Sequence, residues 1–131
     1  MEIEHLGVAV RSLSDSTPTY EATLGVRASP VEEVESQRVR VRFLDAGTSH
    51  VELLEPTQPD SAVGRFLEQR GEGIHHVAFR VPSVDASLAA LAARGLRVID
   101  RVGRTGARGR RVGFAHPSAH HGVLVEFVEG P

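Results

Sequence analysis

The 131-residue chain contains no cysteine. That absence excludes disulfides and thiolate metal sites and leaves any metal to nitrogen and oxygen donors. Lysine is missing too, so all fifteen basic residues are arginine. No large charge of one sign is present: the formal net charge of −2 argues against a general binder of nucleic acid or membrane surfaces. No apolar run reaches spanning length and no secretory leader is visible, so a cytoplasmic location is expected. What is there is ordinary for a globular protein, 40% apolar and 24% charged. The length allows one domain, or two small similar lobes sharing a core.

The stretch GEGIHHVAF, Gly71 to Phe79, organises the rest. Two glycines release a loop into a strand that opens with a histidine pair. Alternation places Val77, Phe79 and Val81 on one face and His76, Ala78 and Arg80 on the other. The N-terminus repeats the pattern in EHLGVAV: His5 is followed by Leu6, Val8 and Val10 on one side and Gly7 and Ala9 on the other.

In chain order, residues 3–10 read as a strand. A short helix follows, starting near Ser14 or Asp15 so that Pro18 falls in its first turn, and stopping at Gly25. Val26 to Val34 reads as a poorly patterned strand. Arg38 to Phe43 alternates strictly, with Val39, Val41 and Phe43 inward, and Ala46-Gly47-Thr48 turns the chain into HVELLEP. Thr57 to Asp60 is a linker, and Ser61 to Arg70 a capped helix with Val63, Phe66 and Leu67 on one face. The first half's order then returns: a strand at His76–Val81, a helix from Ser83 to Gly95, strands at Leu96–Val102 and Arg111–His116, and finally GVLVEFVE. This is a tandem duplication of a β-α-β-β-β unit, in an α+β fold. Module one spans 1–55, a helical connector 56–73 and module two 74–131.

Each unit carries a histidine on its first strand and a glutamate on its last: His5 and Glu52, then His76 and Glu126. All four point away from the helix-covered side. If the units pair about a pseudo-twofold axis, the four converge, and two imidazoles with two carboxylates suit a divalent first-row metal. The plainer alternative is that these residues face water at strand ends; the doubled match favours the metal. The arginines at 38, 40 and 42 read as a solvated sheet face or one covered by a partner subunit. Those at 101, 104, 108, 110 and 111 read as an exposed hairpin or a phosphate-contacting loop. His75, His116, His120 and His121 are assigned no ligand role.

HLGVAV, the segment FLDAGTSHVELLEPTQPDSAVGRFLEQRGEGIHHVAF and the tail GFAHP…HGVLVEFVE together resemble the methylmalonyl-CoA epimerase family of the vicinal oxygen chelate superfamily. The resemblance covers nearly the whole chain, and ELLEPTQPDS followed by GEGIHHVAF is its specific part. It implies one curved eight-stranded sheet that cups a metal, in a homodimer, with His5, Glu52, His76 and Glu126 as ligands. The residue at 52 is glutamine in some members. The family's metals are divalent, often cobalt, with zinc, nickel and manganese as alternatives.

The implied reaction interconverts the 2R and 2S forms of methylmalonyl-CoA, an acyl-CoA thioester, by α-proton abstraction and reprotonation through a metal-stabilised enolate. By the same resemblance Glu126 is one of the two acid/base groups. Some members place the other carboxylate in the region that here reads RVRVRF, where valine stands, which leaves Glu33, Glu35, Gln37 or a bound water. The family's HPK segment reads His116-Pro117-Ser118 here, so nearby arginines replace its lysine. Rival readings are a glyoxalase-like lyase or isomerase acting on a thiol adduct, a metal-free binding or resistance protein, and an extradiol dioxygenase. Neither nucleic acid nor membrane is an expected partner.

Overall fold

Period-two alternation decides most of the architecture. The computed structural model describes residues 1–130. Its eight strands are β1 (Glu2–Ala9), β2 (Glu32–Val34), β3 (Val39–Ala46), β4 (Ser49–Pro56), β5 (Gly73–Val81), β6 (Arg104–Thr105), β7 (Arg111–Ala115) and β8 (Val125–Glu129). The helices are α1 (Leu13–Leu24), α2 (Ala62–Arg70) and α3 (Val84–Ala93). The strands form an eight-stranded sheet in the order β2-β3-β4-β1-β5-β8-β7-β6, and the class is α+β as expected. Two compact units make up the chain: residues 5–75, and residues 1–4 together with 76 onward. Among the described residues no helix is long and apolar enough to cross a membrane.

In the first unit β4 runs parallel to β1 and antiparallel to β3, which pairs antiparallel with β2. One sheet face packs under α1 through Val8, Val10, Leu13, Leu44 and Leu53, with Tyr20 and Leu24 from the helix. Ser12 caps α1 by accepting from the Asp15 N–H, and the Glu55 carboxylate accepts from the Leu13 N–H at 2.8 Å. The helix therefore begins earlier than expected, and Pro18 lies inside it rather than in its first turn. Gly25, at φ 69°, ends it in the left-handed conformation.

The expected strand over 26–34 shrinks to Glu32–Val34. Ser29 does lie against β3, donating its N–H to the Phe43 carbonyl and accepting the Phe43 N–H on its hydroxyl. A side-chain oxygen thus takes the place of a ladder carbonyl, and Pro30 has no N–H to continue. Arg38, Arg40 and Arg42 are anchored rather than simply solvated. Arg42 donates to the Ser29 carbonyl, Arg40 pairs with Glu55 and Glu33, and Arg38 reaches Gln58 and Asp60.

In the second unit β8 runs parallel to β5 and antiparallel to β7, which pairs with β6. Its helix-side core is Val81, Val84, Leu88, Ala115, Val125 and Phe127, and full burial of a side chain such as Leu88 contributes about 1.5–3 kcal/mol. The helix sits low over β7 because residue 113 is glycine: a Cβ there would lie 2.7 Å from Leu88 Cδ1. Ser83 caps α3, and the Glu129 carboxylate accepts from the Val84 N–H at 2.7 Å, repeating the Ser12–Glu55 arrangement.

The strand expected at 96–102 does not form. The N–H groups of Ile99 and Asp100 both go to the Phe114 carbonyl, which bulges the segment and leaves only a Val98–Ala115 bridge. The pairing strand is Arg104–Thr105 instead. The last strand starts at Val125 rather than Gly122, because His121 and Gly122 take positive φ in the turn before it. Asp85 accepts from the Gly103 N–H and from Arg111, and these bonds hold its carboxyl below the usual carboxylate range while raising Arg111.

Candidate metal centre

Each unit builds the same buried pair from the same parts. In the first, His5 of β1 and Glu52 of β4 meet with Nε2 3.2 Å from Oε1. In the second, His76 of β5 and Glu126 of β8 meet with Nε2 3.0 Å from Oε1. All four residues are at most 5% exposed. The strand register explains the match. Glu52 stands opposite Gly7, two residues beyond His5, and Glu126 stands opposite Ala78, two residues beyond His76. A hydrogen or a methyl at that position leaves room for the imidazole to lean over the neighbouring strand.

A phenylalanine braces each histidine. Phe43 is the cross-strand partner of Glu52 and meets the His5 ring edge-to-face at 5.9 Å. Phe114 is the partner of Glu126 and meets the His76 ring in the same way at 5.6 Å. These aromatic contacts, each worth about 0.5–1.5 kcal/mol, fix ring orientation where a flexible neighbour would not. The sequence reading missed the braces, although their spacing of 71 residues repeats that of the histidines.

The pairs fit metal ligation. Two adjacent ligands of an octahedral ion at about 2.1 Å lie roughly 3.0 Å apart, and those of a tetrahedral ion roughly 3.4 Å. The observed separations fall at the octahedral value or between the two. Burying a carboxylate and an imidazole is costly unless charge is balanced, and a core with one such pair has no need of two. The buried group His5, Glu52, His76 and Glu126 is a nitrogen and oxygen donor set that could hold a metal ion.

The other histidines are elsewhere employed. His75 meets the Phe66 ring of α2 at 5.0 Å, and His116 Nδ1 accepts from the Ser118 N–H in the turn after β7. His50, the parallel-strand partner of His5, lies 3.2 Å from Asp45. Of the arginines around the β6–β7 turn, Arg111 is held by Asp85, Arg104 by Asp100 and the Phe114 ring, and Arg110 by Glu4 and the Glu129 carbonyl. Those three are tied within the molecule, while Arg111, like Arg101 and Arg108, is exposed as expected of a hairpin. The candidate bases separate by register: Glu33 pairs with Arg40 on the helix-side face, while Glu35 and Gln37 lie in a 3-10 turn. Glu4, which the sequence reading did not single out, is 2% exposed and bound by Arg80 and Arg110.

Residues 4–114 match the model of the Glyoxalase/Bleomycin resistance protein/Dioxygenase superfamily. The chain is 42% identical over 127 residues to the uncharacterized protein YqjC of Bacillus subtilis, covering 97% of this chain and 91% of that one. It is 34% identical over 128 residues to the mitochondrial methylmalonyl-CoA epimerase of Mus musculus, covering 97% and 72%. A solved structure of a Streptomyces coelicolor methylmalonyl-CoA epimerase, in complex with 2-nitronate-propionyl-CoA, superposes with a TM-score of 0.93 at 41% identity, covering 99% of this chain and 94% of that one.

Proposed function

Because the chain belongs to the Glyoxalase/Bleomycin resistance protein/Dioxygenase superfamily, and within it to the methylmalonyl-CoA epimerase family, we propose that it is a metal-dependent epimerase interconverting the 2R and 2S forms of methylmalonyl-CoA. The observation that carries this reading is the buried His–carboxylate pair, made twice at the spacing of neighbouring metal ligands. His5, Glu52, His76 and Glu126 would hold one divalent ion between them. When bound, the ion supplies positive charge against the substrate oxygens that turn negative as the α-proton leaves.

Glu126 has a second task in this proposal: its carboxylate takes or returns the α-proton on one face of the substrate carbon. His76, held edge-on to Phe114, keeps that carboxylate in place. Cobalt as the ion and a homodimer as the assembly belong to the same proposal and follow from the family resemblance; the cytoplasm is proposed as the compartment.

One observation favours a second reading. Val41, at the place where some epimerases carry their other carboxylate, is buried and aliphatic. A glyoxalase-like isomerase that shuttles a proton on one face needs a single base, which Glu126 alone would satisfy. The deciding experiment follows the α-proton of methylmalonyl-CoA in deuterated water with metal-replete protein. Deuterium entry with inversion supports the epimerase. No exchange there, together with turnover of the methylglyoxal–glutathione adduct, would establish the second reading instead.

A further inference from the structure

Epimerisation needs a proton removed from one face of the α-carbon and one delivered to the other, so Glu126 requires a counterpart. We infer that Glu32, on the edge strand β2 of the first unit, is that counterpart: the acid/base that serves the opposite face of the substrate. The assignment rests on the epimerase reading above and adds to it a residue that neither the sequence reading nor the metal-ligand set contains.

The strand register carries the argument. Across β2 and β3, Glu32 stands opposite Val41, Glu33 opposite Arg40 and Val34 opposite Val39. Directly opposed residues of an antiparallel pair project to the same face. Val41 shares its face with Phe43 by the two-residue period, and Phe43 stands opposite Glu52 with its ring edge-on to His5. Glu32 therefore lies on the face that carries the first unit's His–Glu pair. Glu33 lies on the other face with Arg40.

Few carboxylates compete. On the strands of the first unit, the residues of that face bearing a carboxylate are Glu32, Asp45 and Glu52. Asp45 sits at the exposed hairpin end against His50, with its side chain 76% exposed, and Glu52 belongs to the buried pair. Glu32 is half-buried, next to a valine too short to carry acid/base chemistry itself. A glutamate side chain spans about one inter-strand spacing, about 4.8 Å, so Glu32 can reach over Val41 into the space that a carboxylate on β3 would have occupied.

The duplication supplies the second line of support. The counterpart of Val41 in the second unit is Val112, and the residue opposite Val112 on β6 is Arg104, set over the Phe114 ring at 5.8 Å. This position holds a carboxylate in one unit and a guanidinium in the other, as expected of a site whose two sides do different chemistry.

In one direction the Glu32 carboxylate accepts the α-proton: the C–H bond breaks, an O–H bond forms on Glu32, and the electron pair is drawn into the thioester carbonyl. The Glu126 carboxylic acid then donates a proton to the opposite face, and the two roles exchange in the reverse direction. The test uses the metal-replete full-length chain, each epimer separately, and deuterated water. Glu32→Gln is expected to lower inversion about 100-fold from either epimer. It should keep its metal and still exchange the α-proton of the single epimer whose proton faces Glu126. Glu33→Gln, on the other face, is expected to behave as wild type. Wild-type inversion in Glu32→Gln would overturn the assignment and leave the epimerase reading intact, as would equal loss of exchange from both epimers. Absence of exchange in the wild-type protein would overturn both.

Discussion

The two halves agree in one set of residues and differ in another, and the division is informative. His5, Phe43 and Glu52 recur as His76, Phe114 and Glu126, and the Ser12–Glu55 helix cap recurs as Ser83–Glu129. On the same face, however, the first unit continues with Ala9, Val34, Val39, Val41 and Leu54, all buried. At the positions of Ala9 and Val39 the second unit has Arg80 and Arg110, which bind Glu4, with Glu2 also on Arg80. Gly130 is part of that arrangement, since a Cβ there would meet the Arg110 guanidinium; its counterpart beside Val39 is Pro56. What both halves keep is the donor pair and its braces. What they do not share is two lining positions, Ala9 and Val39 in the first unit against Arg80 and Arg110 in the second, whereas Val41 and Leu54 are matched by the buried Val112 and Val128. In the proposed function, the repeated donor pairs hold the ion and the divergent lining positions meet the unlike ends of the substrate.

The comparison breaks most sharply at the two glutamates. Glu126→Gln keeps an oxygen for the metal but cannot accept a proton, and is expected to lose at least about 100-fold in α-proton exchange with metal content retained. Glu52→Gln, at a position where some family members carry glutamine, is expected to keep both metal and most activity. Exchange rates and metal analysis of the two variants check this, and equal behaviour would mean that the halves are chemically equivalent.

A smaller effect is expected from converting the second unit's lining to that of the first. Arg110→Val removes one of two cations from the buried Glu4, and a charge-assisted hydrogen bond of this kind contributes about 1.5–3 kcal/mol. Denaturant unfolding should show a loss of that order. An unchanged midpoint would show that Arg80 alone satisfies Glu4.

Much of this was legible because period-two strands and repeated His and Glu positions survive in the sequence. The register itself, Glu52 opposite Gly7 and Glu126 opposite Ala78, became visible only in the strand pairing. The rest was decided by side chains acting on backbone. Ser29 replaced a ladder carbonyl and cut β2 short. Asp100, besides sharing the Phe114 carbonyl with Ile99, accepts the Phe114 N–H on its carboxylate, so residues 96–102 run beside β7 without forming a strand. The Glu55 cap let α1 start at Leu13, and the helix then absorbed Pro18 in its interior. None of these contacts has a periodic signature, and each joins residues at least 14 apart. Glu32 escaped notice for the same reason: its face is set by pairing with β3, not by its own three-residue strand.

The smallest expected effect concerns pH. The folded-state pKa of Asp85 lies below its ordinary value, held there by the Gly103 N–H and Arg111. Its contribution to stability is therefore present above the unfolded carboxylate pKa and is lost as pH falls through the folded one. Because the group is at the surface, the effect is small. Asp85→Asn should flatten the acid limb of the stability profile slightly and leave stability at neutral pH nearly as it was apart from the lost pairing with Arg111. An unchanged acid limb would assign that slope to other carboxylates.

The most direct measurement is the metal stoichiometry of the wild-type protein and three histidine variants, by elemental analysis after loading and desalting. The account predicts one divalent ion per chain in the wild type, its loss in both His5→Ala and His76→Ala, and its retention in His75→Ala, whose ring packs on Phe66. Two ions per chain, or full metal content in either His5→Ala or His76→Ala, would contradict the claim that the two pairs close on a single ion.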